Sequence, residues 1–259
     1  VTGPERSLTL RGRTALVTGG AGGIGAAACR ELAARGAGVV VADLDGARAE
    51  ALADEIGGRA WQVDLGETDA LLEPAVTERL AAVDILVNNA GLQHIAPIEE
   101  FGLDEFRHLL AVMLEAPFLL VRAALPGMYA RGFGRIVNIS SVHGLRASEY
   151  KAAYVTAKHG LEGFSKVTAL EGARHGVTSV CLNPGYVRTP LVEQQIAQQA
   201  ALHGIDESEV LERVMLVESA VKRLVEPAEV ASLVAWLASD DAAMVTGASY
   251  SMDGGWTAH

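Results

Sequence analysis

Cysteine is nearly absent: Cys29 and Cys181 are the only two in 259 residues, far apart and outside any CxxC spacing. That excludes a disulfide framework and a cysteine-rich zinc site, and it favours a reducing compartment. Proline is scarce, with 8 residues, and no Pro/Ser-rich linker, low-complexity tract or repeat divides the chain. Basic charge is short as well: 21 Lys+Arg stand against 32 Asp+Glu, a formal net charge of -11. A nucleic-acid binder needs a basic face to displace counterions, so that partner class is excluded, and nothing attracts the chain to anionic membranes. Mean hydropathy is positive, +0.24, yet no long apolar run accounts for it. Leu109 to Val121 is interrupted by Glu115 and Pro117 and is too short to span a bilayer. Val1 to Leu10 carries charges and lacks the apolar core of a signal peptide. The expectation is a cytoplasmic, globular protein with one domain over residues 1–259.

What is present is an alternation. Thr14–Thr18, Val39–Asp43, Ala60–Asp64, Asp84–Asn88, Arg135–Ser140, Thr178–Asn183 and Ala248–Met252 are short runs rich in β-branched residues. Between them lie stretches with helical periodicity: Ile24–Arg35, Thr68–Ala81, Leu103–Tyr129, Tyr154–His175 and Pro227–Ala238. Apolar strands alternating with amphipathic helices need crossover connections, which predicts an α/β fold with a parallel sheet covered on both faces. One segment breaks the rhythm. Pro190 to Leu224 is polar and helical where the next strand might have come, which places a small helical lid over the carboxyl edge of the sheet, where ligands bind.

The first strand runs into Thr18-Gly19-Gly20-Ala21-Gly22-Gly23-Ile24-Gly25 and then a helix. Glycines here allow a tight turn, let backbone N–H groups approach a pyrophosphate, and permit close helix–strand packing. The position of this loop, after a strand and before a helix, is the context a dinucleotide site requires. Asp43 ends the second strand. A carboxylate there accepts hydrogen bonds from ribose hydroxyls and repels a 2′-phosphate, which selects NAD over NADP.

The spacing Thr-Gly-x-x-x-Gly-x-Gly, with Asn88-Asn89-Ala90-Gly91 after strand four and Tyr154-x-x-x-Lys158 on a helix, resembles the short-chain dehydrogenase/reductase family. The resemblance runs from Leu10 to the end. It implies a Rossmann-type, doubly wound sheet of about seven parallel strands and a homotetramer. It also implies that Asp64 and Leu65 flank the adenine, and that Asn88, Ala90 and Gly91 line the cofactor. Pro184, Gly185, Val187 and Thr189 would hold its nicotinamide end.

Tyr154 and Lys158 are four residues apart and so share a helix face. A tyrosine titrating near 10 is a poor base at neutral pH, but a neighbouring ammonium and a positive nicotinamide both favour phenolate. Tyr154 can then take the alcohol proton while hydride leaves. The family's separation of thirteen residues before the tyrosine selects Ser141 over Ser140 as the hydroxyl partner. Alignment puts Met113 where the family carries a catalytic asparagine that helps hold a relay water. A thioether cannot donate a hydrogen bond. Pro117, four residues later, lacks an N–H, which frees the Met113 carbonyl and kinks the helix; that carbonyl is expected to anchor the relay.

Several stretches, among them Gly91–Glu99, Ser141–Gly144 and Pro184–Val192, are similar to the branch of the family that oxidises D-3-hydroxybutyrate. That branch grips its substrate's carboxylate with two glutamines, a histidine and a lysine, which match Gln93, Gln195, His143 and Lys151. A carboxylate wants charge and several donors at once, and these residue types supply them. Tyr186 stands where a tryptophan is common, in an apolar wall. Trp256 closes the same pocket, in its own chain or across a subunit interface, or packs at an oligomer contact. The expectation is NAD-dependent interconversion of (R)-3-hydroxybutyrate and acetoacetate. The alternatives are a short-chain enzyme for another small hydroxy acid or alcohol, and a weakly active NAD-binding scaffold, motivated by Met113. No metal is expected.

Overall fold

The computed structural model describes residues 9–190, 192, 193, 196, 200 and 204–258. Seven strands form one parallel sheet: β1 (Thr14–Thr18), β2 (Gly38–Asp43), β3 (Arg59–Gln62), β4 (Ile85–Asn88), β5 (Gly134–Ile139), β6 (Val177–Pro184) and β7 (Ser249–Met252). Their order is β3-β2-β1-β4-β5-β6-β7. Side chains alternate across each strand, and the two faces feed two cores. Ala15, Val17, Val39, Val41, Ile85 and Val87 belong to one core, while Leu16, Val40, Ala42 and Leu86 belong to the other. Burying each such large aliphatic side chain contributes about 1.5–3 kcal/mol.

Helices α1 (Gly23–Ala34), α2 (Gly46–Ile56) and α7 (Pro227–Leu237) cover the first face. On the other lie α3 (Pro74–Ala81), α4 (Leu103–Leu110), α5 (Ala116–Arg131) and α6 (Ala152–Gly172). The chain reverses its winding between β1 and β4, which are adjacent, so a crevice opens at their carboxyl ends.

Three local departures from the sequence reading have plain causes. The helix expected over Thr68–Ala81 is a 3₁₀ turn, Thr68–Leu72, and then α3. Pro74 holds Glu73 in an extended conformation (φ -62°, ψ 143°) and breaks the run. The kink expected near Pro117 is a π turn over Ala111–Glu115, closed by the Ala116 N–H on the Ala111 carbonyl, which joins α4 to α5. Leu103–Arg131 is thereby long and apolar enough to cross a membrane by length and composition, but half of its most apolar stretch is buried in the protein. Helix α2 was not expected at all. Only Leu52 and Ile56 are large apolar residues in it, and its clearest signal lies in its ends: Asp45 accepts the Arg48 N–H (3.1 Å), and Gly57 closes it at φ +66°.

The described part of 190–224 has a small core of its own. Ala200, Val210, Met215 and Leu216 pack with Tyr186, Val192 and Ile196. Its base is pinned to the sheet edge, where the Val225 N–H donates to the Tyr186 carbonyl (2.9 Å) and the Arg188 N–H to the Val225 carbonyl (2.8 Å).

Candidate active site

A cleft of about 1080 Å³ runs along the carboxyl edge of the sheet, from the glycine turn to the segment at 214–219. At one end, Gly19 (φ +59°) and Gly23 (φ +52°) adopt left-handed conformations that favour glycine. A Cβ on Gly19 would lie 2.9 Å from the Ala90 Cα, and one on Gly23 would lie 3.1 Å from Thr189 Cγ2. Only a bare backbone fits. No side chain caps α1 at Gly22, and its first turn carries no acidic residue, so N–H groups there are available to an anion. A pyrophosphate fits this cradle.

Asp43 closes the adjacent wall. Its Oδ2 accepts the Ala21 N–H (2.9 Å) and its Oδ1 the Asp45 N–H (3.0 Å), which fixes the carboxylate against the glycine turn. Arg48, which the sequence reading missed along with α2, lies beside it and donates to the Ala21 carbonyl (3.0 Å). Asp64 accepts the Gly66 N–H (2.8 Å), and with Leu65 and His108 it lines the next stretch. Ile24, Ala90, Gly91, Pro184, Gly185, Val187 and Thr189 line the cleft as expected.

Three expected cofactor residues do something else. Thr18 is buried, and its hydroxyl accepts the Asn89 (3.0 Å) and Ala90 (3.1 Å) N–H groups. Asn88 points into the sheet and donates to Asn138 Oδ1 (2.8 Å). Gly25 packs against the Gly19 carbonyl, where a Cβ could not stand. The asparagine that meets the cleft is Asn89, whose amide holds the Thr18 (2.9 Å) and Gly19 (3.0 Å) carbonyls. Strand β4 is buried through Asn88, so the next side chain is the first free to face the crevice; strand end, not motif, carries that signal.

Tyr154, Lys158, Ser141 and Ser140 line the middle of the cleft. Lys158 is buried and donates to the Ile139 carbonyl (2.8 Å), with its ammonium 5.6 Å from the centre of the Tyr154 ring. Desolvation pushes Lys158 down to about 8. Burial also raises Tyr154, and the facing Ser141 hydroxyl opposes only part of that. In the protein alone burial outweighs the Ser141 contribution; the nicotinamide charge that the expectation pairs with Lys158 is the further source of phenolate stabilisation. Met113 is buried, and its sulfur would lie 3.5 Å from a Cβ on Gly91, behind the cleft wall rather than in it.

At the far end, Gln93, His143, Lys151, Tyr186 and Trp256 converge on the same space. His143 is stacked on Trp256 of its own chain (5.8 Å, 17°) and set edge-on to Tyr154 (6.0 Å, 75°). Burial and the Lys151 charge push His143 down to about 4, so it is neutral at pH 7. Its Nε2 faces Lys151 Nζ (3.4 Å) and Ser148 Oγ (2.9 Å), and its Nδ1 faces Ser141 Oγ (3.5 Å). An ammonium can only donate. That makes Nε2 the acceptor and places the ring proton on Nδ1, toward Ser141, whose own hydrogen is then free to donate. Ser148 is a wall residue that sequence alone did not single out. Gln195 lies outside the described residues.

Lys151 is itself held by strain. Tyr150 has φ +66°, alone among described non-glycine residues, and its carbonyl accepts the Ala96 N–H (3.0 Å). A left-handed tyrosine costs about 1–2 kcal/mol. The contact ties the loop carrying Gln93 to the loop carrying Lys151.

A family model described as short chain dehydrogenase matches residues 13–200. The D-beta-hydroxybutyrate dehydrogenase of Rhizobium meliloti is 44% identical over 256 residues, 95% of this chain and 99% of the relative. The enzyme of the same name from Cupriavidus necator is 42% identical over 257 residues, 96% of this chain and 99% of the relative. Among solved structures, a putative NAD(P)-dependent gluconate 5-dehydrogenase from Beutenbergia cavernae with bound NADP superposes with a TM-score of 0.84. It is 38% identical and covers 97% of this chain and 99% of its own.

Proposed function

The chain belongs to the short-chain dehydrogenase family, and from that premise we propose that it oxidises (R)-3-hydroxybutyrate to acetoacetate with NAD, with the reverse reaction available. The observation that carries this reading is the convergence of Gln93, His143 and Lys151 on the space faced by Tyr154 and Ser141. A neutral alcohol leaves the Lys151 ammonium without a charge to pair with. A carboxylate two carbons from the carbinol takes the ammonium and the amide while its hydroxyl stays near Tyr154.

Gly19, Gly23 and the first turn of α1 would hold the pyrophosphate, Asp43 the adenosine ribose, and Pro184 to Thr189 the nicotinamide end. The bound nicotinamide supplies the hydride acceptor and a positive charge. Tyr154, ionised, accepts the alcohol proton; Ser141 donates to the substrate oxygen; Lys158 supports the phenolate with its ammonium. The C–H electron pair leaves as hydride, so the alcohol loses two electrons and one proton goes to Tyr154. The Met113 carbonyl, within the π turn, is the proposed anchor of the proton relay.

NAD rather than NADP follows from the Asp43 carboxylate, which a 2′-phosphate would meet at close range. Arg48 nearby softens that repulsion, so the preference is an expected ratio rather than an exclusion. Initial rates with (R)-3-hydroxybutyrate should favour NAD over NADP by roughly tenfold or more, since 1.4 kcal/mol is a factor of ten. Asp43→Ser should narrow that ratio. Equal use of both cofactors by the unaltered enzyme, or no turnover with either, would contradict the reading.

A cytoplasmic homotetramer completes the proposal. Exposed Phe118 on α5 and Val167 and Leu170 on α6 support association of copies through this face.

A further inference from the structure

Behind the catalytic face lies a buried carboxylate that the reaction as described does not use. Glu162 is 5% exposed and sits on α6 one turn beyond Lys158 and two beyond Tyr154. It takes no salt bridge among the described residues. Its Oε1 accepts from Asn183 Nδ2 (2.5 Å) and its Oε2 from the Ser249 hydroxyl (2.5 Å). The same Asn183 nitrogen donates its other hydrogen to the Ser141 carbonyl (2.9 Å). The turn after Ser141 presses from a further side: a Cβ on Gly144 would lie 3.0 Å from Glu162 Oε1.

A lone carboxylate in such a place is expensive, because desolvation is offset only by hydrogen bonds and a nearby opposite charge. An amide or an apolar residue would fill the space more cheaply. What the charge does here is set by its neighbours. It braces Ser141 through one amide, and its residue sits one helical turn from Lys158 on α6.

We propose that Glu162 is a positioning residue of the catalytic centre: through Asn183 it fixes the Ser141 main chain, and across one helical turn it keeps Lys158 charged. The groups around Lys158 leave few competitors for the second role. Tyr154 faces it from α6, the Ile139 carbonyl from β5, and Cys181 from β6. Burial raises the Cys181 thiol, so it is neutral at pH 7. Gly91 and the Met113 sulfur, on the remaining side, carry no charge. Glu162 favours the charged form of Lys158 against the desolvation that lowers it.

The inference rests on Tyr154 and Lys158 as the acid–base pair proposed above, but one readout needs no substrate. The chain has four lysines, Lys151, Lys158, Lys166 and Lys222, so ¹³Cε-lysine NMR can follow each ammonium, with Lys158→Met assigning the resonance. Glu162→Gln keeps the shape and removes the charge. In that variant the Lys158 midpoint should fall by about one unit, and the alkaline limb of kcat/KM should move down with it. Glu162→Asp keeps the charge but is too short to reach Asn183. It should leave the Lys158 midpoint near its original value and lower kcat roughly tenfold through Ser141. A folded Glu162→Gln with an unmoved midpoint would overturn the electrostatic role. An unchanged kcat in Glu162→Asp would overturn the bracing role, even if the Gln variant does not fold. Failure of the unaltered enzyme to oxidise the acid would instead count against the proposed function.

Discussion

Tyr154→Phe is expected to lower kcat by about 10²–10⁴-fold, the range that a positioned proton acceptor supplies, while NAD binds nearly as before. The ring stays to fill its place beside His143 and Lys158, and only the group that takes the proton is lost. Burial raises Tyr154 above an ordinary tyrosine, so the phenolate must be stabilised by charge at the moment of reaction. Lys158 supplies part of it while protonated. Because Lys158 is pushed down to about 8, its charge is present below that pH and is lost as the pH rises through it. The rate should therefore fall on the alkaline side. Stopped-flow reduction of NAD by the acid measures the loss directly. A Tyr154→Phe variant within threefold of the unaltered kcat would remove the tyrosine from the chemistry.

Lys151→Met should raise KM for (R)-3-hydroxybutyrate by about 10–100-fold with a smaller change in kcat. A hydrogen bond to a charged group contributes about 1.5–3 kcal/mol, and that is the interaction removed. The resemblance assigns the carboxylate to Gln93, Gln195, His143 and Lys151 together, without dividing the work among them. The site divides it. His143 is neutral at working pH, pushed down to about 4, so Lys151 carries the charge at this end and His143 relays order to Ser141 through Nδ1. Lys151 is itself lowered by burial, which makes the ammonium poorly solvated and ready for an anion. Steady-state kinetics with varied acid at saturating NAD decide the point. An unchanged KM would mean that the carboxylate is held elsewhere.

Much of the fold was legible because period and composition agree where strands are buried on both faces. β1, β5 and β6 are rich in β-branched residues and buried almost throughout, and their observed bounds fall within a residue of those read from the sequence. Helix α2 offers only Leu52 and Ile56 as large apolar residues, so it was missed, and Arg48 was lost with it. The glycine turn was readable because its backbone conformations admit little else. Asn88 was misplaced because a motif names a stretch, whereas the pleat decides which of two adjacent side chains faces the crevice. The protonation of His143 and the network on Glu162 depend on burial by segments far apart in sequence, which no local pattern encodes.

Net charge told the same story twice. An overall charge of -11 excluded nucleic acid, yet the proposed ligands are both anionic. The site resolves this locally, with uncapped backbone N–H groups at α1 and the Lys151 ammonium at the other end of the cleft. The measurement that tests this most directly compares kcat/KM for (R)-3-hydroxybutyrate and its methyl ester with NAD. The ester keeps the carbinol and the chain and removes only the negative charge. A ratio of about 10–100 or more in favour of the acid is expected, collapsing toward one in Lys151→Met. Equal kcat/KM for acid and ester in the unaltered enzyme would contradict the account.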